Sequence, residues 1–338
     1  MSQHLSDYDF DFPEELIAQA PAQPKDSARL MVYDRAGDTV IHTTFRRILD
    51  FLPLGCDVLL NNTKVIKARI FGTKESGGRI ELLFQKPLDE ITFLVNIRGK
   101  VKPENELVFD NGLKAVVLTL NEDGTRLVAF FKAGQRLSFT ELLPELDAIG
   151  HIPLPPYIKR EDNDQDRSDY QPLFAAKEGA VAAPTASLHF TPELFASLQA
   201  THPVHYLTLH VGIGTFKPVE AENIKEHVMH SEYYDIPEET RKVIDSERPI
   251  LAVGTTVTRT VEYYARTKEP QGECDLFLNP DNPPLRVNHI LTNFHLPKST
   301  LVMLVSAFVG REKMLALYQE AIRERYRFFS YGDAMLIL

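Results

Sequence analysis

The sequence predicts a mixed α/β layered fold with a small antiparallel β-barrel inserted into a larger α/β domain. Three observations lead there. Between about Ala68 and Leu137, short apolar stretches recur at regular spacing, separated by glycine turns, as antiparallel strands in a small barrel or sandwich do. From Phe190 onward, apolar runs alternate with helical segments, which suits helices layered on a sheet. Between the two, His151-Ile-Pro-Leu-Pro-Pro holds three prolines in six residues. Proline fixes φ and lacks a donor, so this stretch reads as an extended connector. The expected partition is 1–67 plus 151–338 for the α/β domain and 68–150 for the barrel.

Taken in order, Pro13-Glu-Glu-Leu-Ile starts a short helix, with proline where the first turn tolerates it. Leu30 to Tyr33 is a strand, and Gly37-Asp38 turns it into Thr39 to Ile41. Val58 to Leu60 is a buried strand entering Asn61-Asn62-Thr63. The barrel strands follow, with turns at Ser76-Gly-Gly, Arg98-Gly, Asp110-Asn-Gly and Glu122-Asp-Gly. After the connector, Glu161 to Asp166 reads as a polar loop. Thr191 caps a helix with Pro192 in its first turn. His205 to Val211 is a strand, Pro237-Glu-Glu opens a helix, and Ile250 to Val253 runs into Gly254-Thr-Thr and a helix through Tyr264. His289 to Phe294 is a strand, Ser299 caps the next helix, and Ala334 to Leu338 closes the chain as a strand.

Composition narrows the class. The chain has 338 residues, 43% hydrophobic and 25% charged, ordinary globular values that exclude a disordered or collagen-like chain. The longest apolar stretch, Leu301 to Val309 broken by Ser306, is about half of the roughly 20 residues a membrane span needs. Met1 to Phe12 has three aspartates and no Lys or Arg, unlike a secretory leader. Cys56 and Cys274 are isolated, giving neither a disulfide framework nor a metal knuckle. A soluble cytoplasmic protein is expected. The formal charge of −10 argues against a global basic field for nucleic acid. Locally, Lys64 to Lys102 carries nine basic and four acidic residues. That stretch is either a solvated face or a phosphate-facing surface.

Several constellations could carry chemistry. Eight of the eleven histidines lie between His189 and His295, and imidazoles serve as acids, bases or ligands near neutrality. His227 and His230 sit three apart before Glu232; a zinc site there would need further ligands. Metal binding, metal-free catalysis and scattered structural histidines stay open. Gly212-Ile-Gly214 is not a dinucleotide fingerprint, since Lys217 stands at the third glycine position and Pro218 blocks an immediate helix. Val253-Gly-Thr-Thr is better placed, because a strand end feeding a helix N-terminus suits a carboxylate or phosphate. Simple capping with a surface Arg259 is the alternative. His295 to Thr300 repeats strand end, loop and helix start. Two such loops favour a cleft at the carboxyl edge of the sheet. Arg325 to Tyr331 interleaves bases and aromatics, either for single-stranded RNA or as core packing.

Longer motifs go further. Glu15-Leu-Ile-Ala-Gln, Leu60-Asn-Asn-Thr, Gly150-His-Ile-Pro-Leu-Pro-Pro-Tyr-Ile and Gly179-Ala-Val-Ala-Ala-Pro-Thr-Ala-Ser-Leu-His-Phe occur in order. They are followed by Thr208-Leu-His-Val-Gly-Ile-Gly-Thr-Phe, Val253-Gly-Thr-Thr, Leu291-Thr-Asn-Phe-His-Leu-Pro-Lys-Ser-Thr-Leu and Tyr326-Arg-Phe-Phe-Ser-Tyr-Gly-Asp-Ala-Met-Leu-Ile. The chain therefore resembles the S-adenosylmethionine:tRNA ribosyltransferase-isomerase family of queuosine biosynthesis, nearly end to end. Lys64 stands where that family usually has Arg and Ser187 where it usually has Gly, and Val95 to Leu107 lacks the usual Arg-Pro-Gly-Lys form.

The resemblance implies transfer and isomerisation of the ribosyl part of S-adenosylmethionine onto 7-aminomethyl-7-deazaguanine at the tRNA wobble position. Adenine and methionine leave, and epoxyqueuosine-tRNA forms. S-adenosylmethionine is then a co-substrate, and no resident cofactor or metal is expected. The partner is the tRNA anticodon loop carrying the precursor, met by a cytoplasmic monomer. Under this reading His210, His295, His189 and Asp333 are the proton-transfer candidates. Thr255, Thr256 and Arg259 are candidates for the methionine carboxylate, and His227, His230 and Glu232 for ribose contacts or orientation. Lys64, Lys67 and Arg69 are candidates for RNA contact. The competing expectations are a metal-dependent hydrolase built on the histidines and a non-catalytic RNA-binding module.

Overall fold

A computed structural model describes residues 4–338 apart from Lys217, Pro218 and Glu220. The expectations resting on Lys217 and Pro218, and the first three residues of the leader comparison, lie outside the described residues. Strands β1 (Arg29–Asp34) and β2 (Thr39–Thr44) form a hairpin. β3 (Asp57–Asn61) is fully buried and leads into β4 (Thr63–Val65). The barrel follows: β5 (Arg69–Lys74), β6 (Arg79–Pro87), β7 (Phe93–Arg98), β8 (Glu106–Phe109), β9 (Lys114–Leu120), β10 (Arg126–Lys132) and the short β11 (Gln135–Arg136). Then come helix α1 (Phe139–Ile149), the one-turn α2 (Asp166–Asp169), β12 (Lys177–Ala180), α3 (Pro192–Thr201) and β13 (Val204–Leu209). The remainder comprises β14 (Glu232–Asp235), α4 (Glu238–Ile244), β15 (Ile250–Val253), α5 (Thr255–Thr267), β16 (Gln271–Cys274), β17 (His289–Asn293), α6 (Thr300–Val309), α7 (Arg311–Arg323) and β18 (Ala334–Ile337).

The fold is the expected mixed α/β architecture with an antiparallel barrel. Nine strands form one mixed sheet in the order β16-β14-β13-β3-β15-β17-β18-β1-β2. Alternate residues of each central strand enter opposite cores. Val58 and Leu60 pack with Phe45, Ile48 and α3 on one face, whereas Leu59 faces the core shared with α5, α6 and α7. Covering both faces is why these strands read as continuous apolar runs rather than alternating ones. In the barrel, β10-β7-β6-β5-β8-β9 close through a second β10–β9 pairing. Its interior holds Ile70, Leu82, Phe84, Phe93, Val95 and Phe130, all fully buried. A third, two-stranded parallel sheet pairs β4 with β12.

Two expectations need correction. The barrel stretch ends in α1, a helix that the strand pattern did not predict. Ser138 caps it reciprocally with Glu141, but Pro144 within it is a strong helix breaker on sequence grounds. Asp166 is not part of a polar loop. It is buried at the start of α2, taken by both Arg160 Nη atoms at 2.6 and 2.7 Å and by Tyr331 Oη at 2.9 Å. Of the two readings of the Arg325 to Tyr331 tail, the structure shows core packing: Tyr326, Phe328, Phe329 and Tyr331 are buried, and Phe328 packs on Phe12 and Phe294.

Candidate active site

The site follows from strand direction. β13, β3, β15 and β17 run parallel, so their carboxyl ends line one edge, where ligands bind in open α/β sheets. Asn61, Leu209, Val253 and Asn293 end these strands. Asn61 ties three of the ends together: its Nδ2 donates to Leu209 O at 2.9 Å and to Thr256 Oγ1 at 3.3 Å, and its Oδ1 accepts from Leu209 N and Thr63 N. A buried amide with this many partners is satisfied and stiff.

Two chambers open at this edge. The first is a cavity of about 80 Å³ between the loop Ala182 to Ala186, the start of α5 at Gly254 to Thr256, the end of β17 and Phe329-Ser330. His295 lines it. Its Nε2 lies 2.7 Å from Thr292 Oγ1, so Nδ1 is the nitrogen available to a ligand. The second is a cleft of about 550 Å³ between the barrel side, with Lys86, Pro87 and Phe139, and the sheet side, with His210, His230, Glu232 and Tyr233. Lys86 closes one rim through two 3.1 Å contacts to Glu273. The segment after β13 is the shared wall: Val211 and Thr215 line the first chamber, Gly212 to Gly214 the second. Gly214 is needed there because a Cβ would sit 2.6 Å from the His230 ring.

Glu232 stiffens the wall. It accepts from Gly212 N at 2.9 Å, Thr215 Oγ1 at 3.3 Å and Arg259 Nη1 at 2.5 Å. Burial works against its charge, but Arg259 and His230 win and hold its carboxyl down to about 2. Arg259 therefore needs reassignment. It is buried, and its other contacts go to the carbonyls of Leu276, His230 and Cys274, so it clamps Glu232 rather than lying open to a methionine carboxylate.

The remaining sequence candidates separate. Thr255 and Thr256 line the small chamber with His295, while His230 and Glu232 line the cleft with His210. Asp333 is not at a chamber. It is buried and accepts from Arg29 N, Arg327 N and the Arg327 guanidinium at 2.8–3.3 Å, pinning the chain's last strand to its first. His189 is buried against Phe45 and lines neither chamber. His227 follows a 3-10 turn and meets the edge of Phe277. It shares no helical face with His230, and among the described residues no group of three or more His, Cys, Asp or Glu is placed to hold a metal ion. Lys64 and Lys67 line a separate groove beside α1, paired with Glu178 and Asp147 at 2.9 Å, and Arg69 pairs with Glu81 at 3.1 Å. Among the described residues, no helix is long and apolar enough to cross a membrane. Sequence reasoning missed Asn61, Thr63, Gly179 and Thr215 as site-builders. They occur in the long motifs but carry no charge to draw notice.

Burial keeps three histidines neutral, pushing His295 down to about 3 and His189 and His289 down to about 4. Unfolded histidine titrates near about 6.5. Between about pH 6.5 and 4 the unfolded chain thus binds more protons than the folded one, and stability falls as pH falls. Glu232 adds its own loss below about pH 4.5, where the unfolded carboxylate begins to protonate and the folded one does not. The thermal midpoint is expected to drop between pH 7 and pH 5 and to drop less in His189→Gln. A midpoint flat across that interval would contradict neutral burial.

Comparison with known proteins fits this arrangement. Residues 5–337 match the family model described as queuosine biosynthesis protein. A Nitratiruptor protein named S-adenosylmethionine:tRNA ribosyltransferase-isomerase is 60% identical over 334 residues, covering 99% of this chain and 98% of that one. A Campylobacter jejuni protein of the same name is 58% identical over 337 residues, with the same coverage. The crystal structure of a Thermotoga maritima S-adenosylmethionine tRNA ribosyltransferase aligns over 98% of this chain and all of that one, at 36% identity and a TM-score of 0.55. The barrel, the nine-stranded sheet and the chambers at its edge are thus those of a chain that belongs to the queuosine biosynthesis protein family.

Proposed function

We propose that this protein transfers and isomerises the ribosyl moiety of S-adenosylmethionine onto 7-aminomethyl-7-deazaguanine at the wobble position of tRNA, releasing adenine and methionine and giving epoxyqueuosine-tRNA. Family membership supports the substrates. The observation that carries the chemistry is the pair of chambers sharing one wall, each with a histidine nitrogen free for a ligand. A sulfonium acidifies the neighbouring 5′ C–H, expulsion of adenine wants an acid, and the incoming amine must be neutral to attack. These are proton transfers for groups near neutrality. Closure of an oxygen onto carbon then expels methionine. The cavity of about 80 Å³ is smaller than the roughly 300–1,000 Å³ of whole-ligand pockets. It suits one end of the co-substrate, with Thr255 and Thr256 at a helix N-terminus for its carboxylate, while the cleft takes the flipped base and the reacting ribose.

The same reading takes the anticodon loop as the docking element, a cytoplasmic monomer as the working form, and no resident cofactor. Lys64, Lys67 and Arg69 are the proposed RNA contacts, exchanging carboxylate partners for phosphates. Changing all three to Ala should weaken tRNA binding and flatten its salt dependence. An unchanged affinity and slope would move the RNA surface elsewhere. The reading as a whole is tested by nucleoside mass spectrometry of precursor tRNA after incubation with the protein and S-adenosylmethionine. Epoxyqueuosine is the expected product, and an unaltered deazaguanine would refute the assignment.

A further inference from the structure

The small β4–β12 sheet is explained neither by the barrel nor by the large sheet, yet it lies against His210. Thr63, the first residue of β4, places its Oγ1 2.8 Å from His210 Nδ1. The same hydroxyl lies 3.5 Å from the carbonyl of Lys177, its partner on β12. A threonine hydroxyl has one proton to give. Given to Lys177 O, it leaves the oxygen as acceptor for an Nδ1–H, and Nε2 then holds the lone pair. Two positions along β12, Gly179 has a φ of +150°, and a Cβ there would stand 2.8–2.9 Å from three atoms of the His210 ring. The Tyr233 ring lies near parallel to it, with the centroids 6.2 Å apart. His210 lines the open cleft, and Nε2 has no partner among the described residues.

We infer that the β4–β12 sheet is a positioning device for His210: Thr63 fixes Nδ1 as the protonated nitrogen, and Gly179 makes room for the ring, so that Nε2 faces the cleft as a base. Nε2 takes one proton from the substrate group bound there. The N–H or C–H bond of that group breaks as Nε2–H forms, and the imidazolium returns the proton to water between turnovers. Burial lowers the His210 pKa, which keeps the ring neutral before that step. Thr63 lines neither chamber, and Gly179 meets the cleft as backbone beside the ring; both act through His210. The inference rests on the proposed ribosyl transfer for its chemistry but not for its geometry, so the two can fail separately.

Two readouts on the full chain test it. Long-range 1H–15N spectra of histidine-labelled protein, with His210 assigned by its loss in His210→Gln, should show the wild type protonated at Nδ1 and Thr63→Val shifted toward Nε2–H. In adenine release, a general base is worth about 10²–10⁴-fold and misorienting it forfeits part of that, so Thr63→Val and Gly179→Ala should lose about 10–10²-fold in kcat. KM for S-adenosylmethionine should stay nearly constant, and Thr63→Ser should restore kcat. A wild-type His210 protonated at Nε2, or an unchanged kcat in Thr63→Val, would overturn the inference. Should the wild type transfer no ribosyl group, the proposed function falls, while the wild-type spectrum still decides the positioning claim.

Discussion

Replacing His210 by Ala is expected to slow adenine release by about 10²–10⁴-fold, the usual worth of a positioned acid or base, with a nearly unchanged thermal midpoint. The ring lines the cleft, and among the described residues only its Nδ1 is hydrogen-bonded to the protein. Its removal therefore deletes one hydrogen bond whose partner, Thr63, keeps Lys177 O within reach. His295→Ala should behave differently. That ring is buried and bonded to Thr292, so its loss leaves a buried hydroxyl unpartnered and costs on the order of 1–3 kcal/mol of stability as well as rate. Measuring midpoint and turnover for both variants separates a cleft histidine from one built into the floor. Wild-type turnover in His210→Ala would remove it from the mechanism.

The second large effect is expected at Arg259. Its guanidinium and the Glu232 carboxylate are both buried and 2.5 Å apart. Arg259→Met strands a carboxylate in the wall between the chambers and should destabilise the protein by about 3–5 kcal/mol, because removing one member of a buried pair leaves an uncompensated charge. The double variant Arg259→Met/Glu232→Gln should recover part of that loss, since no buried charge remains and an amide oxygen can still accept from Gly212 N. Chemical denaturation of the three proteins gives the comparison. A single variant within about 1 kcal/mol of wild type would mean that the pair is not the clamp its burial implies.

Much of the fold could be read in the sequence because its signals are local. Thr191 and Ser299 cap the helices that follow them, accepting from Leu194 N and Val302 N, and glycine turns punctuate the barrel. The edge of the large sheet was equally legible, since Gly254-Thr-Thr and the His295 loop each follow a strand directly. Partners distant in sequence were not. Arg259 reads as an open cation until Glu232, on a different strand, takes it. Asp333 reads as a catalytic carboxylate until Arg29, 304 positions away, donates to it. The helix over 139–149 was hidden by Pro144. The Arg325–Tyr331 tail was ambiguous because alternating bases and aromatics describe a stacking surface and a core equally well, and only burial decides. Thr63 and Gly179 escaped notice for a related reason. A hydroxyl and a missing Cβ have no chemistry of their own until a histidine is set beside them.

The central claim, that the ribosyl part and not the methyl part of S-adenosylmethionine reaches the tRNA, is tested most directly by a double label. The protein is incubated with precursor tRNA and S-adenosylmethionine carrying one isotope in the ribose and another in the methyl group. Ribose label should enter the tRNA in step with adenine release, and methyl label should appear wholly in free methionine. Methyl label in the tRNA, or adenine release without ribose incorporation, would contradict it.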